Sequence, residues 1–298
     1  MKKSQILVLA VAFLVSCSGL FCLAACPSMD FTGDCRVGFA DFALFAEQWL
    51  DVGIPDPNIT WVFINDPGIG SGYEGFNGQM SKYETTNAQY CQFLNAALAT
   101  GDIAFDVSYE NYVCGANGSN SGTDFVGQPY YDTAGYGRYY NEVANCGAAR
   151  INYSDDVFTV DSGFENHPVT YVSWYGAVAF CNYYGYRLPT EWEWQAVADY
   201  DGTYTYGCGT SINNGIANYL NSFHPDGTTA VGSFGTYGYG MCDMAGNVRE
   251  WTDSFHPINS YVTRGGSWED NATYCQVENH SSDSYSYCGY YLGFRVCR

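Results

Sequence analysis

A chain of 298 residues with 31 acidic and only 11 basic side chains carries a formal net charge of −20. That balance excludes nucleic-acid binding and adhesion to anionic lipid, since both depend on Lys and Arg. The length supports one large domain or two ordinary ones, and 34 Gly and 28 Tyr with 14% charged residues describe a loop-rich globular fold with aromatic contacts, not a long helical bundle.

Lys2 and Lys3 precede an apolar run from Ile6 to Val15 and the small residues Ala24 and Ala25, the layout of a bacterial-type export signal over residues 1–25. The expected localisation is therefore exported: extracellular, periplasmic, or lipid-anchored at the cell surface. Two outcomes stay open for Leu23-Ala24-Ala25-Cys26. Cys26 is lipidated as in a lipobox, giving a membrane anchor, or cleavage follows Ala25 and Cys26 pairs with Cys35. Of 13 cysteines, Cys17 and Cys22 lie inside the signal, and the others enter a compartment where disulfides persist.

In residues 26–50, Asp30, Thr32, Asp34 and Asp41 occupy loop positions one, three, five and twelve of an EF-hand-like calcium loop. The segment resembles half of a dockerin repeat, which implies a docking partner, although Cys35 stands at the turn glycine; an acidic turn without calcium is the other reading. Phe42 to Leu50 has helical apolar spacing. Residues 51–59, with Pro55 and Pro57, read as a stiff linker.

From residue 60 to 298 the chain reads as one domain. Residues 85–90 open a helix whose face is Tyr90, Phe93, Leu94, Ala97 and Leu98. Residues 102–165 are Gly, Asn, Tyr and Asp rich without a sustained period and read as loops with short strands. Ser173 caps a second helix that Gly185 ends, and Thr190 with Glu193 forms a capping box for a third. Beyond it, glycine-rich loops alternate with short strand candidates. No Gly-x-Ser-x-Gly, His-Glu-x-x-His or phosphate loop is present, and His167, His224 and His256 each precede proline as turn or packing residues.

Ordered blocks carry a family resemblance: residues 82–87 (KYETTN), 167–174 (HPVTYVSW), 187–194 (RLPTEWEW), 246–251 (GNVREW), then Arg264-Gly265-Gly266-Ser267-Trp268 and Leu292-Gly293-Phe294-Arg295. Together they resemble the formylglycine-generating enzymes, or sulfatase-modifying factors, which oxidise a sulfatase cysteine using copper held by two thiolates. The resemblance implies an α+β, C-type-lectin-like fold with little regular secondary structure. It also implies calcium on the Asp243 and Glu250 side chains with the Gly246 and Val248 carbonyls, and on Asn218, the Tyr219 carbonyl, Asp226 and the Thr228 carbonyl. Turn capping without metal is the alternative role of those carboxylates.

For catalysis the resemblance implies Cys275 as one catalytic thiol and Ser267 lining the oxygen pocket, but Asp270 stands where the other thiol belongs. A carboxylate is a poor ligand for soft Cu(I), so copper is expected only if the domain is active. Arg249 replaces the usual aromatic beside the oxygen pocket. The family disulfides map to Ala198 with His280, where both cysteines are absent, and approximately to Cys181 with Cys297; Cys275 pairing with Cys288 is a further alternative.

Between Trp268 and Leu292 the residues are almost all Asn, Asp, Ser, Tyr, His, Cys, Thr and Gly. Such a run suits recognition, since Tyr and Ser give contact area and adaptable hydrogen bonds at low entropic cost. The expected ligand face is Trp268, Asp270, Tyr274, Tyr285 and Tyr287, and its partner a peptide, protein or glycan; polar-loop drift is the alternative. The run also resembles the variable regions of diversity-generating retroelement receptors, a reading that adenine-rich codons across residues 269–291 would support. The sequence thus points to a degenerate, calcium-stabilised binding domain, with a working copper oxidase as the alternative.

Overall fold

The computed structural model describes residues 56–68, 75–106, 111–116, 125–135, 148–220 and 227–298, together with Val37. The chain divides into two units, Met1–Asp56 and Pro57–Arg298. The export signal, Cys26, the EF-hand-like residues Asp30, Thr32, Asp34 and Asp41, and most of the linker lie outside the described residues, as does Asp226.

The second unit opens with an antiparallel pair, β1 (Trp61–Asn65) and β2 (Asn77–Ser81). The end of the chain joins that pair: the Gln79 and Arg298 amides donate to each other's carbonyls, and Ser81 N donates to Val296 O. Helix α1 (Asn87–Thr100) starts at Thr86, whose hydroxyl accepts from Gln89 N while the Gln89 side chain accepts from Thr86 N. This reciprocal bonding satisfies two amides that a helix start leaves free. Gly101, at φ 77°, ends the helix in the left-handed conformation that a residue without Cβ adopts freely.

Residues 102–165 form short strands. β3 (Ile103–Asp106), β4 (Tyr112–Gly115) and β5 (Pro129–Asp132) make one antiparallel sheet. β6 (Ile151–Ser154) and β7 (Val157–Val160) make a hairpin whose turn, Asp155-Asp156, has positive φ at both residues, the hand that matches strand twist. Helix α2 (Trp174–Tyr184) runs from the Ser173 cap to left-handed Gly185. Helix α3 (Glu191–Asp199) begins at the Thr190–Glu193 capping box.

A four-stranded sheet of order β10-β9-β8-β11 carries the closing blocks, with β8 (Arg249–His256), β9 (Ser260–Arg264), β10 (Ser281–Ser284) and β11 (Leu292–Gly293). β11 lies parallel to β8, pairing Leu292 with Arg249 and Gly293 with Glu250. The main core packs α1 and α2 through Tyr90, Phe93, Phe180 and Phe294, with ring centroids 5.4 to 6.0 Å apart, the spacing at which aromatic pairs add to area burial. A second cluster joins Ile64, Met80, Trp194, Val197 and Met244. No helix among the described residues is long and apolar enough to cross a membrane.

Candidate functional site

Successive residues of a strand point to opposite faces, and at the start of β8 this separates two adjacent charges. Glu250 turns inward. Arg295 Nε and Nη2 donate to its two oxygens at 2.6 Å each, and Trp194 Nε1 donates at 2.7 Å. The remaining Arg295 donors reach the Ser81, Lys82 and Cys242 carbonyls. The Glu250–Arg295 pair therefore ties β2, β8, α3 and the loop at 242 together.

Arg249 turns the other way and meets Asp270. Its Nε donates to Oδ2 at 2.7 Å and its Nη2 to Oδ1 at 2.5 Å, a two-pronged charge-assisted pair. Asp270 Oδ2 also accepts from the Ser267 amide at 2.9 Å and hydroxyl at 2.7 Å. Burial alone would lower the Arg249 pKa, but the bonds to Asp270 outweigh it and hold the guanidinium charged above its ordinary range. The two residues at which departures from the resembled pattern were expected thus neutralise each other, the Arg249 cation holding the Asp270 carboxylate.

Copper does not fit this donor set. Both Asp270 oxygens are engaged, and Ser267, expected beside an oxygen pocket, donates to Asp270 instead. Burial, reinforced by Asp270, pushes the Cys275 thiol up to about 12, which disfavours the thiolate that a soft metal takes.

The calcium candidates divide. Asp243 Oδ2 accepts from Gly232 N at 2.6 Å, and both Glu250 oxygens are held by Arg295. Glu84, a buried carboxylate that the sequence reading did not single out, accepts from Asn247 Nδ2 and from Val248 N within the same loop. Of the Asp243, Gly246, Val248 and Glu250 set, both Glu250 oxygens and one Asp243 oxygen are therefore already bonded within the protein. Asn218 differs. Its Nδ2 donates to Gly227 O at 2.9 Å and Asn247 Oδ1 at 3.2 Å, fixing the amide orientation. That leaves buried Asn218 Oδ1 without a partner among the described residues, and an orphaned buried oxygen fits a hard cation. Its expected companions are Tyr219, Thr228 and Asp226; the Thr228 hydroxyl contacts His167 Nδ1 at 3.0 Å. Gly246, at φ 79°, lets this loop lie against Asn218, where a Cβ would meet the Asn218 carbonyl at 2.2 Å.

The expected ligand face is only partly at the surface. Trp268 is 2% exposed and Asp270 is buried in its ion pair, because the Gly-Gly-Ser-Trp turn folds inward against residues 227 and 247. Those two are corrected from surface to interior. Tyr285 and Tyr287 are half-buried, the former edge-on to Tyr175 and the latter beside Tyr291. Tyr274, 43% exposed, lies over Arg249 with the ring centroid 5.6 Å from the guanidinium carbon. Tyr291 flanks Arg249 at 4.8 Å and donates to Asp283, while Tyr290 donates to Glu269. Leu220, 56% exposed, donates its amide to Asp270 O. Leu220, Tyr290 and Tyr291 were not expected, because only their contacts with the ion pair and its neighbours mark them.

No disulfide joins the expected pair Cys181 and Cys297 in this structure, although the two buried thiols lie close enough to feel each other electrostatically. The Cys297 backbone pairs with that of Arg187. Cys275 and Cys288 belong to different apolar clusters, which removes that pairing.

Residues 74–298 match the family described as Sulfatase-modifying factor enzyme 1-like domain. Serine/threonine-protein kinase pkn1 of Chlamydia caviae is 34% identical over 153 residues, covering 44% of this chain and 24% of the kinase. The formylglycine-generating enzyme of Mycobacterium tuberculosis is 39% identical over 104 residues, 30% of this chain and 35% of the enzyme, and that of Mus musculus 30% identical over 149 residues, 37% of each. The chain thus spans about a quarter of the length of the kinase relatives. CarF superposes with a TM-score of 0.53 at 19% identity, covering 81% of this chain and 98% of that one. Treponema denticola variable protein 1 does so at 0.51 and 17%, covering 80% and 94%. Likeness at these identities speaks for fold alone, the C-type-lectin-like α+β fold.

Proposed function

The chain belongs to the sulfatase-modifying factor family, and from that premise we propose that this member is catalytically degenerate and acts as a binding domain for a peptide, protein or glycan. The observation that carries this reading is the closure of Asp270 onto Arg249 and Ser267 at the place of a catalytic thiol. A carboxylate already saturated by a guanidinium and a hydroxyl has nothing to offer Cu(I). Tyr274, beside Arg249, and Leu220, bonded to the Asp270 carbonyl, supply exposed apolar surface next to that pair, and tyrosine-rich surfaces suit recognition. We further propose that calcium, held through Asn218, ties the acidic loops together and that the domain works outside the cytoplasm, anchored through Cys26 or free. The N-terminal acidic segment would supply a docking contact.

The test is to incubate the purified protein with Cu(I), oxygen and a Cys-x-Pro-x-Arg sulfatase peptide and follow the cysteine by mass spectrometry. The expected product is unmodified peptide; formylglycine would overturn degeneracy. Binding to glycan and peptide arrays, diminished by Tyr274→Ala, supports the recognition face, and binding untouched by that substitution moves the face elsewhere.

A further inference from the structure

We propose that Cys275 and Cys208 form a disulfide that ties the turn at 206–209 to the loop after Ser267. Cys208 sits inside a tight turn closed by mutual backbone bonds between Tyr206 and Gly209. Tyr206 in turn bridges Gln276, the neighbour of Cys275, and Val277 N donates to Thr205 O at 2.9 Å. This pairing brings the two cysteines into one small buried cluster with Ala217 and Ala245. Gly207 presses on the Met244 backbone, where a Cβ would lie 2.3 Å from the carbonyl oxygen, and Gly266 approaches the Cys275 sulfur, where a Cβ would lie 2.7 Å away. Both loops are thus pinned from behind.

The thiols also feel each other electrostatically, and burial pushes Cys208 up to about 11 and Cys275 to about 12. Exchange with external thiols is therefore slow once the domain is folded, and the bond forms as the chain folds. An external protein or small-molecule disulfide is the oxidant. The Cys208 thiolate attacks one of its sulfurs and expels a thiolate; deprotonated Cys275 then attacks the Cys208 sulfur, forming the bond and expelling the second thiolate. The protons from Cys208 and Cys275 end on the two released thiols. The bond does not depend on what the domain recognises, but it would remove the thiol that the family uses for copper.

Refolding the full chain in oxidised and reduced glutathione, blocking remaining thiols with N-ethylmaleimide at acidic pH, and mapping peptides without reductant tests this. A peptide linking Cys208 to Cys275 is expected, and Cys208→Ser should leave Cys275 alkylated after denaturation. A free Cys275 in the parent protein, or one linked to any other cysteine, overturns the proposal. Should refolding fail, a trivalent arsenical that needs two sulfurs decides on the reduced native protein: capture abolished by either Cys208→Ser or Cys275→Ser supports the pairing, and capture indifferent to both overturns it.

Discussion

The two ion pairs at the start of β8 are neighbours in sequence and opposites in circumstance. Glu250–Arg295 is wholly interior and every donor of the guanidinium is used, whereas Arg249–Asp270 lies at the edge of the fold with Arg249 partly open to water. The inner pair is built from the GNVREW and LGFR blocks that mark the family and holds the scaffold. The outer pair holds Asp270, the residue on which the proposed loss of the family reaction rests. Adjacent residues of one strand can therefore serve separate ends, one the scaffold and the other the proposed site, because a strand sends neighbouring side chains to different faces.

Breaking the inner pair should have the largest effect. Arg295→Met leaves Glu250 buried without its cation and strands three backbone carbonyls, so a loss of about 3–5 kcal/mol is expected, read from urea melts at neutral pH. Should the variant fail to fold, Arg295→Lys, which keeps charge but not the fork, should still be destabilised. A near-parent melt for either would mean that the inner pair is not what holds the scaffold. Asp270→Ala comes next. It leaves Arg249 with its aromatic neighbours and water access, and frees Ser267, so about 1.5–3 kcal/mol is expected. If it costs as much as Arg295→Met, the contrast between the two pairs collapses.

How much of this was legible in the sequence divides along the same line. The second helix was legible at both ends and the third at its start, since Ser173, Gly185, Thr190 and Glu193 act through bonds no more than a few residues long. The first was legible as a face, but its Thr86–Gln89 box was not singled out. The strands between 103 and 160 are four residues each, too short for a period to emerge from Gly and Tyr rich surroundings. At the site, the order of the blocks located Asp270 and Cys275. Arg249 was legible as an odd cation but not as the partner of Asp270, because the β8–β9 hairpin and the turn after it close a 21-residue separation that no local rule contains. Glu84 and Asn247, 163 residues apart, and Cys208 with Cys275 were hidden for the same reason.

The carboxylates behind the inner pair predict a pH dependence. Burial pushes Asp243 from 3.8 up to about 6, against the opposing Gly232 amide and Arg295, and Glu84 is raised by burial and then by Asp243 and Glu250. A raised acid keeps its proton in the folded chain after the unfolded chain has lost it, so the native state binds more protons from about pH 4 to 6. In the presence of a chelator, stability should fall as pH rises through that window, by on the order of 1 kcal/mol from Asp243, and Asp243→Asn should flatten the slope without abolishing it, since Glu84 acts in the same sense. A rising profile would show that the inner carboxylates are better compensated than the packing around Arg295 indicates.

Arg249→Lys is the smallest expected effect and the sharpest probe of the outer pair. Lysine keeps a positive charge near Asp270 but cannot present two parallel N–H groups, nor lie against Tyr274 and Tyr291 as a planar guanidinium does. With the charge retained and water at hand, the loss should be about 0.5–1 kcal/mol, well short of Asp270→Ala. Salt separates the causes: if charge alone sustains the pair, Lys and Arg proteins should lose stability in parallel as ionic strength rises, because exposed attraction is screened. If the fork and rings sustain it, the arginine protein should be nearly indifferent to salt and the lysine variant sensitive. The second pattern is expected from a carboxylate that accepts two guanidinium bonds and two from Ser267. It would mean that Asp270 is fixed by geometry, and that restoring a thiol at this position would require removing Arg249 as well.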